Sequence, residues 1–235
     1  MVEMDDLSSY ARPCVTVDLV ILTVVACDPK VLLIRRKVRP FEGMWALPGG
    51  FVRVSGGPDQ GEDLEAAALR ELQEETGLRP GSVFLEQLHT FGKSRRDPRT
   101  RVITVAYYAL VRADLAPFVV AGGDASDVSW FSLGDIPGLA FDHNDIVTYA
   151  LQWIRARLKD SDVALELVPD PFTVSELRAV YEVILGEAQD PANFRRSFQR
   201  LLDDGLVVEA PGKRVTSARP ARVYRFAAPR RAGGS

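Results

Sequence analysis

Apolar and polar positions follow two rhythms along this chain. Residues 15–26, VTVDLVILTVVA, and 31–36, VLLIRR, are β-branched, apolar and continuous, and they predict two strands joined by a turn at 27–30, CDPK. Residues 99–111, RTRVITVAYYALV, predict a further strand that alternates near its centre, and 127–133, DVSWFSL, another short one. The segment 61–77, GEDLEAAALRELQEETG, is rich in Ala, Leu and Glu and predicts a helix closed by Gly77 as its C-cap. In this helix Leu69, Leu72 and Thr76 share a side that can face the core. Residues 142–159, DHNDIVTYALQWIRARLK, predict a second helix with Ile146, Tyr149, Ala150 and Trp153 on one side. Strands and helices mixed in this way indicate an α/β or α+β first domain.

Past a linker near residue 165 the pattern changes to helices only, then a hairpin. In 173–186, TVSELRAVYEVILG, Thr173 and Glu176 stand at capping-box spacing, and Leu177, Val180, Tyr181 and Ile184 make a buried stripe. In 190–205, DPANFRRSFQRLLDDG, Asp190 is the expected N-cap, Pro191 takes the first helical position, and Phe194, Phe198, Leu201 and Leu202 form the apolar face. Two strands follow, LVVEAPGKR and ARVYRF, joined by a basic loop. Helix, turn, helix and hairpin is the order of a winged helix-turn-helix.

Composition supports this division. The chain has 235 residues, 46% of them apolar, which is enough for a real core or two modest ones. No run of ~18 apolar residues predicts a membrane span. The start, MVEMDDLSSYARP, lacks the basic-then-apolar order of an export signal, and this favours the cytoplasm. Cys14 and Cys27 are too few for a disulfide framework, and their expected place is in the core. The net charge of −3 conceals an asymmetry: residues 1–171 carry −7, whereas 172–235 carry +4 and the stretch from Ala192 onward +7. A split of this kind predicts two modules, the second with an anionic partner.

Two clusters can carry chemistry. Glu71, Glu74 and Glu75 stand at i, i+3 and i+4 on the first helix, so their carboxylates share a side and repel one another unless they are solvated or hold a cation. Hard divalent ions such as Mg²⁺ take oxygen ligands and fit such a cluster, as a solvated acidic face also would. On the helix that begins near Asp190, Asn193, Arg196 and Arg200 repeat at i, i+3 and i+7 opposite the phenylalanines, with Arg195 and Gln199 beside them. Asn and Arg can read adenine and guanine edges in double-stranded DNA. Lys213 and Arg214 at the tip of the wing, with Arg219 and Arg222 nearby, are placed for phosphates.

From Gly56 the chain reads Gly, five residues, Glu62, seven residues, then Arg70-Glu71-Leu72-Gln73-Glu74-Glu75-Thr76-Gly77-Leu78. This resembles the Nudix box, G-x5-E-x7-R-E-U-x-E-E-x-G-U with U apolar, at every specified position. The segments KVLLIRRKVRPFEGMWALPGGFV, LEQLHTFGKSRRDPRTRVITVAYYALV and SLGDIPGLAFDHNDIVTYAL are similar to Nudix domains of the ADP-ribose pyrophosphatase-like group. The C-terminal part resembles the winged helix of the Nudix-related transcriptional regulators of NrtR type. The resemblance implies a Nudix α/β/α sandwich over 13–160, a linker over 161–171, a winged helix-turn-helix over 172–227 and a basic tail over 228–235. It also implies a homodimer that represses genes of NAD synthesis or salvage and leaves DNA when ADP-ribose binds.

By position, Glu71, Glu74 and Glu75 become metal ligands, Glu74 the catalytic residue if there is turnover, and Gly56, Glu62, Arg70 and Gly77 the structural frame. For a diphosphate and its adenine, Arg36, Arg53 and Arg101 are candidate cations, Trp45, Phe91 and Tyr107 candidate stacking surfaces, and His143 a candidate polar contact. This chain departs from the common pattern in two places. Eleven residues separate Gly50 from Glu62 where about five are usual, and Arg53 stands where catalytic members often carry Glu. Both favour weak or absent hydrolysis. The alternative is an active Mg²⁺-dependent ADP-ribose hydrolase with an accessory tail, or a bifunctional protein.

Overall fold

The computed structural model describes residues 10–55, 61–81, 83–122, 125–158, 163–215 and 220–227. Gly56, Arg219, residues 159–162 and the tail from 228 lie outside the described residues.

The centre of the first domain is β1, Cys14–Val25. One of its edges pairs antiparallel with β4, Gly49–Phe51, and then with β2, Asp28–Arg36; the other runs parallel to β6, Val102–Leu110. β5, Phe84–Phe91, adds to β6, while β3, Trp45–Ala46, and β7, Ala125–Ser132, flank β2. Val17, Leu19 and Ile21 of β1 point to one face, against Ala67, Ala68 and Leu72 of α1, Leu64–Thr76. Val20, Leu22 and Val24 point to the other, against Ile146, Val147, Ala150 and Ile154 of α2, His143–Arg157. A strand covered on both faces has no polar side to show, which is why β1 reads as one apolar run. Among the described residues no helix is long and apolar enough to cross a membrane.

Three sequence expectations change. The β1–β2 turn is Ala26-Cys27, both at positive φ (52° and 60°), rather than 27–30. Two such residues match the right-handed twist of a tight hairpin, and Asp28 and Pro29 become strand. The same turn leaves Cys27 exposed, and Cys14 is exposed at the open start of β1; neither is a core residue. Trp153 is exposed, because the buried stripe of α2 runs through Val147 and Ile154 instead. β5 carries no strand period in its sequence. A bulge between Gln87 and His89 puts its buried residues, Leu85 and Leu88, three apart, which breaks the two-residue period.

The second unit comprises α3, Val174–Leu185, α4, Pro191–Asp203, and the hairpin of β8, Val207–Arg214, with β9, Ala221–Phe226. Both caps form as the sequence predicts. Thr173 and Glu176 close a reciprocal box, with Glu176 N donating to Thr173 Oγ1 at 3.2 Å and Thr173 N to Glu176 Oε2 at 2.7 Å. Asp190 Oδ1 accepts from Asn193 N at 2.8 Å. Much of the expected linker is core: Val163, Ala164, Leu165, Leu167 and Val168 are buried in one apolar cluster with Ala150 and Ile154 of α2 and Leu177 of α3. Phe172, fully buried, exchanges backbone hydrogen bonds with Tyr224 at 2.8 and 2.7 Å and so ties this connection to β9.

Candidate functional site

The carboxylate helix meets β4 at the two glycines. A Cβ on Gly49 would lie 2.2 Å from Val17 O, and one on Gly50 2.2 Å from Glu71 Oε1. Bare backbone here lets α1 approach closely enough for Glu75 Oε2 to accept from Gly49 N at 2.7 Å. Arg70 ties the remaining parts together. It donates to both oxygens of Glu62 (2.9 and 2.6 Å), to Glu71 Oε1 (2.6 Å), to Glu74 Oε2 (3.1 Å) and to Phe51 O (3.2 Å). The hydrogen bonds from Arg70 hold Glu62 down at a pKa of about 2. Burial pushes Glu71 up, against the pull of Arg70.

The long loop before the helix does not disturb this arrangement. Val54 bridges Gly61, Glu62 N donates to Arg53 O at 3.0 Å, and Arg53 N donates to Glu62 Oε1 at 2.8 Å. The described residues on either side, Arg53-Val54 and Gly61-Glu62, therefore meet, and Glu62 stays within reach of Arg70. The glycine whose Cβ position would meet Glu71 is Gly50; the Gly56 of the linear match lies outside the described residues.

Over the box opens a cavity of about 470 Å³. Glu71, Glu74, Glu75, Arg70 and Arg53 line one side. Arg36, Lys37, Arg96 and Arg99 supply cations, and Phe51 and Phe141 supply rings. Two of these pairs stack: the Arg99 guanidinium lies 5.4 Å from the centre of Phe51, and that of Arg36 4.8 Å from Phe141. The floor is a buried polar group. Arg96 donates to Asp18 Oδ2 at 3.0 Å and to both oxygens of Asp142 at 2.7 and 3.0 Å. Burial works against the charge of Arg96, but the two aspartates outweigh it and raise its pKa. His143 Nδ1 accepts from Leu47 N at 2.9 Å, and burial holds the imidazole below its ordinary pKa.

Of the predicted ligand residues, Arg36, Arg53 and His143 line this cavity. Four lie away from it. Tyr107 alternates into the α1-side core. Trp45 packs edge-on against Phe131 at 4.8 Å. Phe91 packs against His89 and Tyr149. Arg101 donates to the carbonyls of Gly92 and Lys93 at 2.7 and 3.1 Å. The sequence reading missed Asp18, Lys37, Arg96, Asp97, Arg99 and Phe141. Two signals were present: a single acid within the apolar run of β1, and the basic cluster SRRDPRTR between β5 and β6.

On the second unit Asn193, Arg195, Arg196, Gln199 and Arg200 are all exposed, opposite the buried Phe194 and Phe198. Asn193 accepts from Arg196, and Gln199 donates to Asp203 at 2.9 Å. Lys213 stands across the hairpin from Arg222, which pairs with Glu209 at 3.2 Å. Arg214, half-buried, is paired with the capping-box Glu176 and donates to Pro171 O at 2.7 Å.

Two family models match the chain: the NUDIX domain over residues 18–153 and the NrtR DNA-binding winged helix domain over 164–226. The chain belongs to the NrtR family of Nudix-domain proteins. The "ADPR responsive transcriptional repressor NtrR" of Acinetobacter baylyi is 36% identical, over 94% of this chain and 84% of its own length. The crystal structure of Shewanella oneidensis NrtR complexed with a 27mer DNA superposes with a TM-score of 0.77 at 35% identity, covering 90% of this chain and 93% of that one. The Nudix domain of the same protein complexed with ADP ribose covers 64% of this chain and 94% of its own, with a TM-score of 0.52 at 34% identity.

The fold family implies a divalent ion at the box, and the donor set does not fit one as arranged. A hard cation takes six or more oxygens. Here Glu71 faces Arg70, Glu74 lies between Arg53 and Arg70, and Glu75 is bonded to Gly49 N. Among the described residues no three carboxylates, histidines or cysteines converge where one ion could sit.

Proposed function

We propose that this protein is a transcriptional repressor whose Nudix domain holds ADP-ribose, or a related nucleotide diphosphate, and leaves operator DNA when it does. The observation that carries this reading is a continuous core. The arginine-lined cavity and the cationic face of α4 belong to units that share one apolar cluster through residues 163–168. A ligand can shift DNA affinity only by its differential affinity for two arrangements of the whole, and a shared core is the physical route for such linkage. The DNA-bound and ADP ribose-bound relatives support the two partners. The working form is a homodimer, because two half-sites about one helical turn apart need two readers. It acts in the cytoplasm on genes of NAD synthesis or salvage, on the ground of family resemblance.

Hydrolysis is weak or absent in this reading. The complete Arg70, Glu71, Glu74 and Glu75 set is what favours the alternative, a working hydrolase. Turnover of ADP-ribose to AMP at ~1 s⁻¹ or faster would favour that alternative.

The test is a gel shift at low salt, since phosphate contacts weaken steeply as salt rises. The expected result is a retarded operator fragment that sub-millimolar ADP-ribose releases. No retardation of any candidate operator would remove the repressor reading.

A further inference from the structure

We propose that Arg53 is a built-in counter-cation: its guanidinium takes the place at Glu74 that a divalent ion would take, so the diphosphate site works without metal. This rests on the reading that the cavity holds a nucleotide diphosphate.

Glu74 is the most exposed of the three box carboxylates, hence the one open to an incoming ion. Arg53 Nη2 lies 3.1 and 3.4 Å from its two oxygens, while Arg70 Nη1 holds Oε2 from the other side at 3.1 Å. The position is built rather than incidental. The backbone of Arg53 is locked to Glu62 through both its N–H and its C=O, and the Val54–Gly61 bridge closes the loop behind it. The side chain thus starts from a fixed point beside α1, although it is 64% exposed and its guanidinium can reach a ligand.

Charge points the same way. Three carboxylates faced by Arg70 alone would attract a dication and repel a diphosphate. Arg53 removes one more unit of negative charge from the box. A guanidinium also meets phosphate oxygens with two parallel N–H groups, as a fixed fork. What it cannot do is lower the pKa of a bound water as a metal does. A site so arranged holds its ligand without generating the nucleophile that would cleave it, which suits a sensor.

The experiment uses the full-length protein, with calorimetry of ADP-ribose binding in EDTA and in Mg²⁺, and Mn²⁺ binding followed by electron paramagnetic resonance. Wild type is expected to bind ADP-ribose within twofold under the two conditions. Arg53→Ala should weaken binding in EDTA about tenfold, the worth of a lost charge-assisted contact. Arg53→Glu should make ADP-ribose binding Mg²⁺-dependent and raise Mn²⁺ affinity at least tenfold. Wild type that needs a divalent ion to bind ADP-ribose, or Arg53→Glu with unchanged Mn²⁺ affinity, would overturn the assignment. If ADP-ribose binds under neither condition, the sensor reading fails, and the Mn²⁺ measurement alone decides the role of Arg53.

Discussion

Asp18 is the one charged residue of β1, and it is there for Arg96 and His143. Arg96 meets Asp142 through two hydrogen bonds and Asp18 through one, and removing one member of this buried group would leave a charge without its partner. His143 next to it must stay neutral, because its Nδ1 accepts the N–H of Leu47. Burial depresses its pKa below the ordinary 6.5. Below that pH the unfolded chain takes up the proton first, so stability is fully present above about 6.5 and falls as pH drops toward the folded-state value. Urea midpoints measured from about pH 7.5 downward should decline across this window in wild type. In His143→Gln, whose amide oxygen can still accept from Leu47, the decline should be smaller. An equal decline in both proteins would place the titrating group elsewhere. At this scale the sequence showed residues bound into a linear motif, such as Glu62, Arg70 and the three glutamates. It did not show Arg96, whose partners come from β1 and the turn before α2, or the stacking of Arg99 on Phe51 of β4.

Elements were legible where one face is buried and the ends carry caps. α1 ends at Gly77 with φ 71°, α3 begins at its Thr173 box, and α4 opens at Asp190-Pro191. α4 also has a sharp division of faces: Phe194 and Phe198 inward, Asn193, Arg196 and Arg200 outward. If this helix enters the major groove, each arginine that reads a base contributes ~1–3 kcal/mol of discrimination. Arg196→Ala and Arg200→Ala should therefore each weaken operator binding by about tenfold or more in fluorescence anisotropy, with ADP-ribose binding by calorimetry unchanged. Normal operator binding by both variants would show that α4 is not the reading element. β5 was illegible for the opposite reason: its bulge destroys the period on which a strand is recognised.

The whole molecule is held together by what looked like a connector. Residues 163–168 and Phe172 fill the seam between the sheet face under α2 and the helices of the second unit, and Arg155 Nε of α2 donates to Ile184 O at the end of α3 at 2.7 Å. Phe172→Ala empties a fully buried site, and large-to-small changes of this kind cost ~3–5 kcal/mol. The expected outcome is one unfolding transition, shifted to lower urea, seen alike by a probe on each unit. Two separate transitions, with only the C-terminal one shifted, would show that the units are energetically independent.

The sequence by itself determined the carboxylate helix and its glycine stop, the order of two modules, the charge split between them and the outward face of α4. These depend on periods, caps and motifs that span only a few neighbouring residues. Tertiary structure decided the rest. It closed the loop before the box at Val54–Gly61, made Gly50 the glycine under Glu71 and set Arg53 beside Glu74. It also paired Arg214 with Glu176, gathered the cavity cations and buried the connector. Each of these depends on which segments meet after the chain has crossed the sheet, and local pattern does not record such meetings.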